Sequence, residues 1–408
     1  MLDKFKYAYL KQISVFLFFI LLYFGGRAAL NGLALFLLIS LIDLFVNGTI
    51  SYKKLPPLLI LPIAFYLLNI TTLLWTDNIS AGIFSLEVKL SFLVIPLILG
   101  FQKPDSDFNL NHIIKYFSIA SIISPTLLFG RAFYMYFSGN PFPIYSPFSP
   151  ELHVTYLATY STINLIFNYL ILKNHPNLNT KILAYFSILI TIPTIWVSQS
   201  KAGMIIYLII VAIIVFKEMV NFNKWMGIIS ISVLVIGSVL FINTNPRFKA
   251  MFEAVRNYEK YLDGKQTTTE STAARIMTWD ASLKIIKENF WIGVGNGDTK
   301  QELLKKYDSL GYQGPARLQL NAHNQYLETL LYTGVFGLLF LMGIFILPVI
   351  FLKQNTTFFW MFAVVYGFHF LFESMLNTQA GVIFFVFVYC IAIKGEQNKP
   401  ANIYFTST

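Results

Sequence analysis

His323 is the third residue of the stretch NAHNQYLETLLYTGVFGLLF, residues 321–340, in which a polar cluster runs directly into a segment oily enough for lipid. An imidazole in the first turn of a helix lies at the positive end of the macrodipole, which disfavours imidazolium and holds the ring neutral near pH 7. A neutral imidazole accepts a proton, so His323 is a candidate general base; the plainer alternative is a helix cap at the water interface. With His323 in the first helical turn, Tyr326, Leu330, Gly334 and Gly337 follow on about the same face, and the glycines would admit a neighbouring helix beneath the ring.

The other four histidines offer less. His112 and His175 fall in loops expected to be solvated. His369 precedes Glu373 by one helical turn, so the two are expected to share a face and pair. His153 stands at the mouth of a hydrophobic run, on the same side as His323. Four cations also collect on that side: Lys201 in VSQSKAGMI, Arg275, Arg27 and Arg131. Charges at the mouths of membrane helices commonly line polar cavities, and several converging would make an anion site. Taken singly, each could instead snorkel to the lipid headgroups. The GVGNG segment, residues 293–297, lacks the preceding strand of a dinucleotide fingerprint and the GK[ST] of a nucleotide loop, so a tight turn between two helices accounts for it better. Its amides could still touch a phosphate.

Composition dictates what must position these groups. The chain of 408 residues is 56% hydrophobic and only 12% charged, with mean hydropathy +0.62, against about 25% charge in soluble proteins. Hydrophobic runs near 20 residues, the length that crosses about 30 Å of hydrocarbon as a helix, recur about twelve times. They fall at 13–28, 29–48, 57–76, 80–100, 112–137, 153–173, 180–198, 201–217, 224–243, 324–352, 357–375 and 378–394. Continuous rather than alternating runs disfavour a β-barrel and predict an all-α polytopic membrane protein. The first run has no small-residue cleavage site and reads as an anchor. Lys and Arg collect in SYKK, FQKP, FKEMVNFNK and FLKQ and avoid WTDNIS and MLNTQA, which by the positive-inside rule predicts both termini in the cytoplasm. The net charge of +10 is therefore a topology signal, not a nucleic-acid footprint. A single cysteine, Cys390, excludes a disulfide framework.

This organisation divides the chain into helices over 1–243, an external segment over 244–322, and closing helices with a cytoplasmic tail over 323–408. Within the external segment two amphipathic helices flank the glycine turn. Ile276, Trp279, Leu283, Ile286 and Phe290 are predicted to form the buried stripe of the first, Ser271 or Thr272 its cap, and Asp298 the N-cap of the second.

HNQYLETLLYTGVFG resembles the signature of the O-antigen ligase and polymerase superfamily, membrane-embedded GT-C-like glycosyltransferases: His323, then Asn324, then Gly334-x-x-Gly337. RIMTWDASLKIIKENFWIGVGNGD is similar to the family's external-loop pattern, and ESMLNTQAGVIFFVF to its closing helices. The resemblance implies glycosyl transfer at the periplasmic face of a bacterial inner membrane, from an undecaprenyl-pyrophosphate-linked glycan. The acceptor is a lipid A-core sugar in ligases and a second lipid-linked repeat unit in polymerases, and the ligase is the expectation here. It implies His323 as the base and Arg275 as the pyrophosphate ligand. The family's second arginine meets Lys201, a point charge without the planar fork. Asn324, Arg27, Arg131, His153 and Glu373 are supporting candidates. The leaving group is already activated, so neither cofactor nor ATP is expected. With no carboxylate cluster near the motif no metal is expected either, and direct attack predicts inversion. A transporter would equally place Asp43, Glu87, Lys89, Arg27 and Arg131 in or near spans, but the halves show no matching interrupted helices.

Overall fold

The computed structural model describes residues 2–50, 55–103, 110–174, 177–262, 271–352 and 356–397; His175 lies outside them. Among the described residues ten helices precede segment 244–322: α1 Leu2–Leu22, α2 Gly26–Val46, α3 Pro57–Thr71, α4 Ile79–Lys89, α5 Ser91–Phe101, α6 Leu110–Phe137, α7 Val154–Asn174, α8 Leu178–Ser198, α9 Lys201–Phe222 and α10 Lys224–Thr244. That segment carries α11 Pro246–Arg256, α12 Tyr258–Leu262, α13 Ser271–Glu288, α14 Thr299–Leu310 and α15 Gln313–Leu318, and α16 Gln325–Phe351, α17 Thr356–Phe370 and α18 Gln379–Gln397 close the chain. The only β-type pairing among the described residues is an isolated bridge between Ile50 and Gln102. Among the described residues eight segments are long and apolar enough to cross a membrane, and α17 and α18 are shorter apolar helices. The protein is an all-α polytopic membrane protein, as its hydropathy predicts.

Position in the bundle explains why the helices differ in composition. α18 is apolar on every side and buried from Val382 to Ile393, as a helix enclosed by its neighbours should be. α7 is enclosed too, yet it carries Thr159, Thr162, Asn164 and Asn168, all fully buried. These polar groups are satisfied between helices. Asn168 accepts from Ser118 of α6 at 3.0 Å, and Asn164 donates to Ser187 of α8 at 2.8 Å. α10 is the opposite case, with Val233, Ile236 and Leu240 each at least 60% exposed, a surface that only lipid or another apolar partner covers favourably.

Two spans are broken. The predicted span 80–100 is two helices, α4 and α5, meeting at Leu90. α16 is interrupted at Gly334, whose φ of 62° and ψ of −158° no helix accommodates. The WIGVG segment, residues 291–295, fills this second break. Val294 N–H donates to Leu331 O at 2.7 Å, Gly295 N–H to Tyr332 O at 3.2 Å, and Val335 N–H to Phe290 O at 2.9 Å. Backbone groups freed by the break thus find partners inside the protein, the condition for irregular backbone at membrane depth. Gly334 and Gly293 are required because the two backbones touch: a Cβ on Gly293 would lie 2.5 Å from Leu331 O, and one on Gly334 would meet Trp291 O. Gly334 therefore admits the 291–295 turn, while a Cβ on Gly337 would meet Thr333 of its own helix.

α13 is the hub of the layer formed by segment 244–322 and packs on α11, α12, α14, α15 and α16. Its buried face is Ala273, Ala274, Met277, Thr278, Ala281, Ser282, Ile285 and Ile286. Of the predicted stripe only Ile286 belongs to that face, while Leu283 and Phe290 are 55% and 43% exposed. The pattern misled because small residues, not the largest apolar ones, allow the close packing around this helix. Met277, Ala281 and Ile285 join Leu303, Tyr307, Tyr312 and Leu331 in a second core. Ser271 and Thr272 lie in the first turn of α13. Asp298 is at the N-cap of α14 but forms no cap bond there. Its carboxylate accepts from Asp77 N–H at 2.7 Å and Asn78 N–H at 2.8 Å, fastening this layer to the start of α4.

Candidate active site

His323 precedes α16 rather than forming its first turn. Asn324 is the N-cap, its side chain accepting from Tyr326 N–H at 2.9 Å and Leu327 N–H at 3.1 Å. His323 has φ of 45°, a left-handed conformation that costs a non-glycine residue on the order of 1–3 kcal/mol. It is held there from both sides. His323 N–H donates to Asn321 Oδ1 at 3.0 Å, and Asn324 N–H to Ser374 Oγ at 3.2 Å.

The pairing expected between His369 and Glu373 does not form. α17 stops at Phe370, so Glu373 lies in the following turn, and both ring nitrogens of His369 are buried without a hydrogen-bond partner. Glu373 faces His323 instead, with Nδ1 to Oε1 at 3.3 Å. Its other oxygen lies 3.8 Å from Arg275 Nη2. Arg275 is fixed in turn: Nε donates to Phe372 O and Nη1 to Ser271 O, each at 3.0 Å. Burial by itself would raise the Glu373 carboxyl, but the hydrogen bond from His323 and the charges of His323, His153 and Arg275 together hold it below its ordinary value. A carboxylate on Nδ1 directs the proton of the neutral ring to that nitrogen and leaves Nε2 with its lone pair.

Beside this pair lies a cavity of about 200 Å³ lined by His153, Lys201, Arg247, Arg275, Trp279 and Phe372 among others. Lys201 is the first residue of α9, where the Ser200 hydroxyl caps Gly203 N–H at 3.2 Å. Its Nζ donates to Thr272 Oγ1 of α13 at 2.9 Å. His153 precedes α7, and burial first, then the charges of Arg275 and His323, depress its basicity against the opposing pull of Glu373. Ile276 and Trp279, two members of the predicted stripe, form part of the cavity wall.

Of the predicted residues, the structure brings together His323, Glu373, Arg275, Lys201 and His153, with Asn324 supporting the loop. Arg27 and Arg131 do not line the cavity. Arg27 is exposed at the start of α2. Arg131 donates to Pro147 O at 2.9 Å and so braces the loop that carries Tyr145. The other charges are dispersed: Asp43 pairs with Lys11 at 2.8 Å, and Glu87 is exposed.

Two functional candidates escaped the sequence reading. Arg247, from α11, lines the cavity with its guanidinium 4.2 Å from the Tyr145 ring centroid; nothing in its local sequence separates it from neighbouring surface cations. Glu328 is 2% exposed and clamps the His323 loop. Its carboxylate accepts from Ala322 N–H at 2.9 Å, and from Tyr332 Oη and Asn377 Nδ2 at 2.8 Å each. A carboxylate in the first turn of an otherwise apolar membrane helix was the available signal.

Fold and site together define a polytopic membrane protein with a histidine–carboxylate pair beside a cationic cavity at one end of its bundle. Residues 186–342 match the model of the O-antigen ligase family, and that match supports a place in the O-antigen ligase superfamily. The match supports function of the ligase or polymerase type. The match takes in Lys201, Arg247, Arg275 and His323. A stretch of 219 residues is also 27% identical to an uncharacterized protein of Haemophilus influenzae, covering 51% of this chain and 53% of that protein. The match spans about half the length of each.

Proposed function

We propose that the protein is a ligase that transfers a glycan from undecaprenyl pyrophosphate to a lipid A-core sugar, at the periplasmic face of the inner membrane with both termini cytoplasmic. The observation that carries this reading is the 3.3 Å contact of His323 Nδ1 with Glu373, whose other oxygen faces Arg275 across 3.8 Å at the cationic cavity. In the reaction, the acceptor hydroxyl gives its proton to His323 Nε2 as its oxygen attacks the anomeric carbon. The bond from that carbon to the pyrophosphate oxygen breaks, the lipid pyrophosphate leaves with the electron pair, and the anomeric configuration inverts.

General-base help of this kind contributes about 10²- to 10⁴-fold. The charge of the cavity suits the leaving group. Lys201, Arg247 and Arg275 are three cations and Glu373 one anion, leaving two positive charges for the two negative charges of a diphosphate diester. Fixed charges where water is excluded stabilise the departing group without reorganising. Arg247 adds a planar fork to a site in which Lys201 supplies a point charge.

Purified protein given a radiolabelled lipid-linked donor and a lipid A-core acceptor tests the proposal. Transfer of label by the wild type and its loss in His323→Ala, with the variant still accumulating in the membrane, is the expected result. Full activity of the variant would remove His323 from the chemistry. Glycolipid moved across the membrane with its linkage unchanged would identify a carrier, and label joined to a second lipid-linked unit a polymerase.

A further inference from the structure

A second cavity, of about 310 Å³, lies under the layer formed by segment 244–322 and is lined by Lys89, Asn296, Gln319, Asn321, Glu328 and Asn377. The His323–Glu373 pair stands between the two. Arg275, which faces Glu373, and Phe372, which precedes it, line the first cavity. Asn321, which accepts from His323 N–H, and Asn377 line the second.

The chemistry of the second wall differs from that of the first. Lys89 is 1% exposed, and its Nζ is spent on Ser85 Oγ at 2.5 Å, Asn296 Oδ1 at 3.4 Å and the Tyr332 ring at 4.5 Å. The buried Glu328 carboxylate stands in the same wall and repels anions. Apart from the exposed Lys300 in the first turn of α14, side-chain amides dominate what remains, and Asn377 Oδ1 is buried with no hydrogen-bond partner among the described residues. Phe84 lines the cavity while remaining 67% exposed. Mixed donors and acceptors with an available aromatic face suit a neutral polyol. The volume is at the lower end of small-molecule sites, about 300–1,000 Å³.

We propose that this amide-lined cavity binds a neutral sugar segment of the acceptor glycan, on the side of His323 opposite the cationic cavity. The assignment rests on the transferase reading above. It brings the attacking hydroxyl in from the side away from the diphosphate, with His323 beside that hydroxyl, since inversion requires nucleophile and leaving group on opposite faces of the anomeric carbon.

Binding is measured apart from catalysis. The probe is core oligosaccharide released from lipid A by mild acid, titrated into the full-length protein in detergent micelles and followed by saturation-transfer NMR. The wild type is expected to saturate. Phe84→Ala and Asn377→Ala should each weaken binding, and together by about tenfold or more. Lys201→Ala should leave it unchanged. Inorganic pyrophosphate should not compete. No binding by the wild type, binding untouched in both Phe84→Ala and Asn377→Ala, or competition by pyrophosphate would each overturn the assignment. Phe84 is exposed and its loss does not threaten folding, so a failure of Asn377→Ala to fold leaves the test intact. Failure of the transferase reading registers separately, as absence of label transfer by the wild type.

Discussion

His323 and Glu373 lie 50 residues apart in the chain and 3.3 Å apart in the fold. The contact exists because α17 ends early and α16 starts late, so that both residues sit in irregular backbone facing each other. If Glu373 orients the ring and balances its charge as it takes a proton, Glu373→Gln should lower turnover by up to about 10⁴-fold, the scale seen when the carboxylate of a triad becomes an amide. Glu373→Asp should retain more. Single-turnover rates with bound donor check this, and an unaffected rate in Glu373→Gln would reduce the pair to a structural contact.

The depressed Glu373 carboxyl gives a pH signature. A carboxylate whose folded value lies below its ordinary 4.5 stabilises the fold above pH 4.5 and loses that contribution as pH falls through the folded value. Melting temperatures of wild type and Glu373→Gln should therefore differ at pH 7 and draw together only below pH 4.5. A gap that closes at higher pH contradicts the depressed value.

Arg275 donates through Nε and Nη1 to backbone carbonyls while Nη2 faces Glu373. Lysine cannot reproduce that fork. Arg275→Lys and Arg275→Ala are thus expected to lose similar amounts of donor affinity, read as KM for the lipid-linked donor. Substantial rescue by lysine would show that charge alone matters.

Arg247 should behave differently. Its guanidinium stacks on Tyr145, and no carboxylate pairs with it among the described residues. Arg247→Ala should raise the donor KM by about tenfold or more, the weight of a charge-assisted bond, and leave the melting temperature nearly unchanged. An unchanged KM would exclude Arg247 from the diphosphate site.

The broken helix gives a structural test. A methyl group on Gly334 would drive into the Trp291 carbonyl while demanding a backbone conformation that L-residues rarely adopt. Gly334→Ala should destabilise by at least about 1–3 kcal/mol, lowering the melting temperature and the folded yield. Gly130→Ala, with open space around its Cβ, is the control and should change neither.

Hydropathy by itself determined the class: continuous apolar runs in a chain with 12% charge leave no alternative to a membrane helix bundle. Residue type likewise identified His323, Arg275 and Lys201, because a proton acceptor and cations at helix mouths are rare enough to be noticed one by one. Periodicity failed where backbone departs from regular structure. It placed His323 inside a helix, paired Glu373 with His369, and rotated the buried face of α13. A break such as that at Gly334 depends on the turn that fills it, and residues 291–295 are distant in sequence from the carbonyls they satisfy. Tertiary structure alone decided that Glu373 meets His323 and that Arg247 joins the cations, since such contacts depend on where unrelated helices end. The number of residues between them carries no trace of that.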